Sequence, residues 1–221
     1  LSVSSVSVNG QSALYSYNSP NLLIDLDNVK SGDTLQVVVS YEGKPLQDPQ
    51  WGGFYFSGKY TFNLGVGFAS DPHNFGRVWF PCFDNFTDRA TYDFLIRVDS
   101  SYKAYANGLL QKITKNSDQT ETFYWQMDDP IPTYLAAVAI APYEEIRMSV
   151  DGIPVILTAL ASDTANLRKS FENLPTCIRA FESSYGKHTF DRVGFNTVPF
   201  NSGAMEHATN IAYPRYAIAN G

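Results

Sequence analysis

Apolar and polar residues alternate along most of the first 140 positions. Leu1, Val3, Val6 and Val8 are separated by serines up to a turn at Asn9-Gly10. Leu35, Val37 and Val39 share one face of a segment from Thr34 to Tyr41, a period of two that marks a half-buried strand. Asn21 to Asp27, Tyr92 to Val98, Lys103 to Ala106, Glu121 to Met127 and Thr133 to Ile140 are further expected strands. Ser31-Gly32-Asp33 and Glu42-Gly43-Lys44-Pro45 are turns, and Asn107-Gly108 and Asn116-Ser117-Asp118 are expected hairpin turns. Short strands at regular spacing predict an antiparallel β-sandwich.

The period changes after about residue 148. Ile153 to Thr158 is one more strand, but Leu167, Phe171, Leu174, Ile178, Phe181 and Tyr185 follow at spacings of 4, 3, 4, 3 and 4. That is one apolar stripe of an amphipathic helix. Asp163 is placed to cap it and Gly186 to end it. Pro175 removes a backbone donor mid-stripe, so it kinks this helix or opens a second one. Arg192 to Pro199 and Thr209 to Tyr213 are strand-like again. The expected division is a β unit over 1–148 and the opening of an α/β unit over 149–221. The fold class is mainly β.

The composition narrows the function. Aromatics reach 14% of 221 residues, in keeping with pleated, half-buried surfaces. A net charge of −6 without a basic stripe argues against a nucleic-acid partner. No apolar run is long enough to span a membrane, so no membrane partner is expected. Cys82 and Cys177 are too few for a disulfide framework and read as small buried hydrophobes. His73, His188 and His207 form no H-E-x-x-H pattern and no i, i+4 pair, whereas catalytic zinc normally takes three protein ligands. No metal site is expected within these residues. In Asn201-Ser202-Gly203-Ala204-Met205-Glu206-His207, two small residues permit close backbone approach beside one carboxylate. By itself Glu206 would read as an edge-strand glutamate facing solvent.

Gly203-Ala204-Met205-Glu206-His207 resembles the G-x-M-E-N motif of the aminopeptidase N-like zinc metallopeptidases, a family that includes leukotriene A hydrolase. Arg77-Val78-Trp79-Phe80-Pro81-Cys82-Phe83-Asp84 resembles that family's R-x-x-F-P-C-x-D segment. Ala106-Asn107-Gly108 and Pro132-Thr133-Tyr134-Leu135-Ala136 resemble two further stretches, in the family's order. The resemblance implies an antiparallel sandwich or saddle domain followed by the first part of a thermolysin-like catalytic domain. It implies that the chain is a piece of a longer enzyme, with the zinc histidines and the general-base glutamate downstream, so that zinc would belong to the parent and the piece would be inactive.

The resemblance also assigns roles. Glu206 would pair with the free amino terminus of a peptide substrate, and Gly203, Ala204 and Met205 would line its main chain. His207 stands where the family has Asn and would line the substrate site rather than ligate zinc, with a charge expected to vary near neutral pH. The family's upstream amine-binding Gln has no counterpart, and Asp71 is the candidate to replace it. Trp51-Gly52-Gly53 is expected to be a strand entry rather than a ligand platform. The implied partners are a peptide substrate and the remainder of the catalytic domain, with a periplasmic or extracellular location favoured over a cytoplasmic one. The alternative is a non-catalytic protein-interaction module of the same fold.

Overall fold

A computed structural model describes residues 1–26, 28–200 and 202–219. Asp27, which closes the second expected strand, and Asn201, Asn220 and Gly221 lie outside the described residues. In chain order the strands are β1 (Ser2–Val8), β2 (Gln11–Ser12), β3 (Tyr15–Asn18), β4 (Asn21–Ile24), β5 (Val37–Glu42), β6 (Gly52–Ser57), β7 (Tyr60–Gly67), β8 (Arg89–Asp99), β9 (Lys103–Ala106), β10 (Leu109–Lys115), β11 (Thr120–Pro132), β12 (Val138–Ala141), β13 (Tyr143–Val150), β14 (Ile153–Leu160), β15 (Val193–Val198) and β16 (Ile211–Pro214). The helices are α1 (Thr164–Ser170), α2 (Leu174–Tyr185) and α3 (Tyr216–Ala219).

The fold is mainly β. Strands β6-β7-β12-β9 and β10-β11-β8 form two antiparallel sheets whose facing side chains, among them Phe62, Leu64, Tyr105, Phe123 and Trp125, make the main core. Val198, Met205 and Ala212 join the same core from the second half of the chain. Asn107-Gly108 is not a hairpin turn: β9 pairs with β12 and β10 with β11, so these residues carry the chain from one sheet to the other. Asn107 is fully buried, and its side chain replaces the hydrogen bonds that a turn would have supplied. Residues Thr133–Leu135 form a 3-10 turn, so the strand expected from Thr133 begins only at Val138.

The last sheet runs β13-β14-β15-β16, antiparallel in its first pair and parallel in the next two. The division expected at 148/149 falls inside β13, which pairs with β14 along its whole length. Parallel β14 and β15 require a crossover. The apolar stripe supplies it as two helices, with Pro175 in the first turn of α2, where its missing N–H costs nothing. Leu167 and Phe171 bury against Leu157 and Ile218. Asp163 makes no capping bond. It pairs instead with Arg215 through two contacts of 2.5 and 3.1 Å. Neither cysteine is fully buried: Cys177 is exposed on α2 and Cys82 is half-buried. No helix among the described residues is long and apolar enough to cross a membrane.

Candidate functional site

The connection from β15 to β16, residues 199–210, carries the expected motif. Met205 pairs antiparallel with Ala212: its N–H donates to the Ala212 carbonyl at 3.0 Å, and the Ala212 N–H returns at 2.9 Å. This short pairing sets the alternation of the motif. Met205 and His207 point inward and are buried, while Glu206 between them is exposed. Gly203 has φ of +73° and is exposed, and a Cβ built on it would meet nothing within 4 Å. Its glycine therefore serves a left-handed backbone that opens onto free space. Ala204 is half-buried beside it.

Polar groups buried at the junction of the two halves hold this segment. Asn107 donates to the carbonyls of Ala208 at 2.6 Å and Leu135 at 2.9 Å, and accepts from the Ala137 N–H at 2.6 Å. The Gly108 N–H donates to the Thr209 hydroxyl at 2.7 Å. Asn196 donates to Asn210 at 2.8 Å. The buried guanidinium of Arg192 donates to the carbonyls of Gly108 and Ala106 and lies 4.7 Å over the Trp125 ring. Two of the resembling stretches, around Asn107 and around Glu206, are thus bonded to each other. The other two meet as well: the Asp84 carboxylate accepts from the Arg77 N–H and guanidinium and from the Thr133 hydroxyl.

His207 is wedged against β7, where its Nε2 accepts the Gly65 N–H at 3.1 Å. Burial pushes its pKa down to about 3, against an opposing contribution from the Asn210 backbone. The imidazole is neutral, and its charge does not vary near neutral pH, contrary to the expectation from its unperturbed value. The Gly65 bond puts the proton on Nδ1 and commits Nε2, so this ring has no free lone pair to offer a metal. His73 lies near the Gly67 carbonyl and His188 near the Arg192 carbonyl. Among the described residues no three His, Cys, Asp or Glu side chains gather to hold a metal ion. This donor set does not fit zinc.

Asp71 sits on the exposed loop after β7. No hydrogen bond or ion pair joins it to Glu206 among the described residues. The loop is nevertheless tied to the motif by Asp48, which no sequence pattern singled out, and by Trp51. Asp48 accepts from the Gln50, Trp51 and Ala69 N–H groups and from the Ser70 hydroxyl. Burial raises its pKa, but these bonds together outweigh that and hold it well below the usual carboxylate range. Trp51, fixed by this clamp, stacks on Phe68 at 4.7 Å and donates its indole N–H to the Ser202 carbonyl at 2.6 Å. The expected strand entry at Trp51 is present as the start of β6, but the ring also touches the motif segment. The turn-forming Asp48-Pro49 ahead of a tryptophan was the available signal.

Comparison with known proteins places this architecture. The Peptidase M1 N-terminal domain matches residues 2–135. The bovine glutamyl aminopeptidase is 30% identical over 148 residues, covering 62% of this chain and 15% of that protein. The chicken transcription initiation factor TFIID subunit 2 is 25% identical over 161 residues, 65% of this chain and 13% of that protein. An M1 zinc metallopeptidase from Deinococcus radiodurans, an E323A mutant bound to a Tyr-Ser-Ala substrate, superposes with a TM-score of 0.86 at 22% identity, over 98% of this chain and 51% of that one. The chain thus spans 15–20% of the length of the curated aminopeptidases it matches and about half of the structural neighbour. Four motifs bonded in pairs, a matching domain and a shared fold lead to one conclusion: the chain belongs to the M1 family of aminopeptidase N-like zinc metallopeptidases.

Proposed function

We propose that this chain is the substrate-gripping part of a zinc-dependent aminopeptidase that removes single residues from the free amino terminus of peptides. The observation that carries the reading is Glu206, exposed between two buried neighbours on a segment that buried polar bonds hold in place. Its carboxylate takes the substrate ammonium in a charge-assisted hydrogen bond. The open backbone at Gly203 and Ala204 takes the peptide's main chain, in the manner of an added strand. Anchoring the amine fixes which carbonyl stands at the cutting position, which makes the enzyme an exopeptidase. His207 acts from behind, as a neutral wedge that keeps Glu206 outward, and Asp71 adds negative charge at the loop tied to the motif by Trp51.

Zinc and its ligands belong to the parent's catalytic half under this reading, and the 221-residue chain alone hydrolyses no aminoacyl anilide. The remainder of that domain covers α2, whose Phe181 and Tyr185 are 65% and 84% exposed. The test is Glu206→Gln in the complete enzyme. We expect kcat/KM for free-amine peptides to fall by about 10- to 100-fold, the worth of one hydrogen bond to a charge. Wild-type turnover in that variant would remove the role.

The likeness to a transcription initiation factor subunit favours a second reading, a non-catalytic interaction module of the same fold. An H-E-x-x-H sequence in the parent beyond these residues separates the two.

A further inference from the structure

A cavity of about 760 Å³ lies where the carboxyl ends of β14, β15 and β16 face the loop before β6. Asn166 reaches it from α1 after β14, Phe200 follows β15, and Tyr216 follows β16, while Gln50 and Trp51 close it from the sandwich. The carboxyl ends of parallel strands are where open α/β sheets place their ligands, and the volume is within the roughly 300–1,000 Å³ of ligand sites. Its charged groups are already spent: Asp163 and Arg215 neutralise each other, and Asp48 is saturated by amide and hydroxyl donors. What remains is four aromatic rings, those of Trp51, Tyr55, Phe200 and Tyr216, and neutral amides, which suit an uncharged, partly apolar ligand. The Asp48 clamp makes the wall at Trp51 rigid before any ligand arrives.

The cavity is continuous with the motif through Trp51, which lines it and holds the Ser202 carbonyl. If Glu206 grips a peptide's amino terminus, the reading given above on which this inference rests, the peptide must run along Ala204 and Gly203 toward Ser202, antiparallel to the chain. Phe200 stands six positions before Glu206. We propose that this cavity receives the carboxyl-side part of longer peptide substrates, from about the fifth residue onward at roughly 3.3 Å per residue, with preference for aromatic or aliphatic side chains there. It gives the enzyme a dependence on peptide length that the amine grip alone cannot give.

The experiment measures kcat/KM in the complete enzyme for a series from dipeptide to hexapeptide with uncharged side chains. Asn166→Trp fills the cavity from an exposed helix position, and Tyr216→Ala removes a rim ring. Both variants should process dipeptides as the wild type does and lose about tenfold on hexapeptides, and hexapeptides but not dipeptides should change the Trp51 fluorescence. A hexapeptide-to-dipeptide ratio unchanged in both variants overturns the cavity while leaving the amine grip intact. Glu206→Gln separates the two ideas, because it should weaken every length equally. If it weakens none, the amine reading fails and the cavity proposal falls with it.

Discussion

Asn107→Ala tests the claim that buried polar bonds, rather than the motif's own backbone, position Glu206. Asn107 is fully buried and makes three hydrogen bonds, to the Ala208 and Leu135 carbonyls and from the Ala137 N–H. Alanine removes all three at once. Each buried polar group left without a partner costs about 1–3 kcal/mol. Three such groups, with some relaxation, give a loss of about 3–5 kcal/mol, a large share of the roughly 5–15 kcal/mol that holds a domain folded. For a chain of this size that corresponds to a fall in Tm of about 10 °C. Thermal unfolding followed by circular dichroism measures it. Amide exchange should accelerate at Ala137 and Gly108, which sit on either side of the joint. A drop in Tm below about 3 °C, with exchange unchanged at both amides, would show that the joint carries little of the load and that the account of Glu206's placement is wrong.

Two further expectations follow from the same junction. The folded state depresses the His207 pKa far below its ordinary 6.5, so the neutral ring's contribution is complete above pH 6.5 and is lost as pH falls from there toward 3. In His207→Gln the amide oxygen can still accept the Gly65 N–H, and the pH slope of the unfolding free energy should fall by up to about 1.4 kcal/mol per pH unit across that window; equal slopes in both proteins would refute the buried neutral imidazole. Gly65→Ala would place a Cβ 1.6 Å from the Tyr134 carbonyl oxygen. The strand must shift to accept it, at a cost of about 3 kcal/mol or more in urea unfolding, and a variant of wild-type stability would mean that β7 does not approach that turn as described.

Much of the architecture was legible along the chain because it is locally encoded. The period of two marked β8, β9 and β11, and the 4, 3, 4, 3, 4 stripe marked the helical crossover, with Pro175 signalling that it comes as two helices. Strands β2, β3, β7, β10 and β13 were missed. In β7 both faces are buried, so its residues do not alternate. Asn107-Gly108 carried a strong hairpin signal, yet it spans two sheets, because only the pairing partners of β9 and β10 decide whether a turn closes a hairpin.

The amino-acid sequence by itself determined the kinds of element, their order, and the presence of a single carboxylate beside two small residues. The direction in which Glu206 points was a tertiary decision, made by the Met205–Ala212 pairing and by the bonds from Asn107 and Gly108. So was the state of His207, whose ring nitrogen accepts from Gly65, 142 positions away in the chain. The Asp48 clamp, and the contact of Trp51 with Ser202 across 151 positions, were also invisible to any local pattern. Side-chain periodicity reports only which face of an element is buried. Which distant backbone group a buried polar atom must satisfy is known only once the chain has closed on itself.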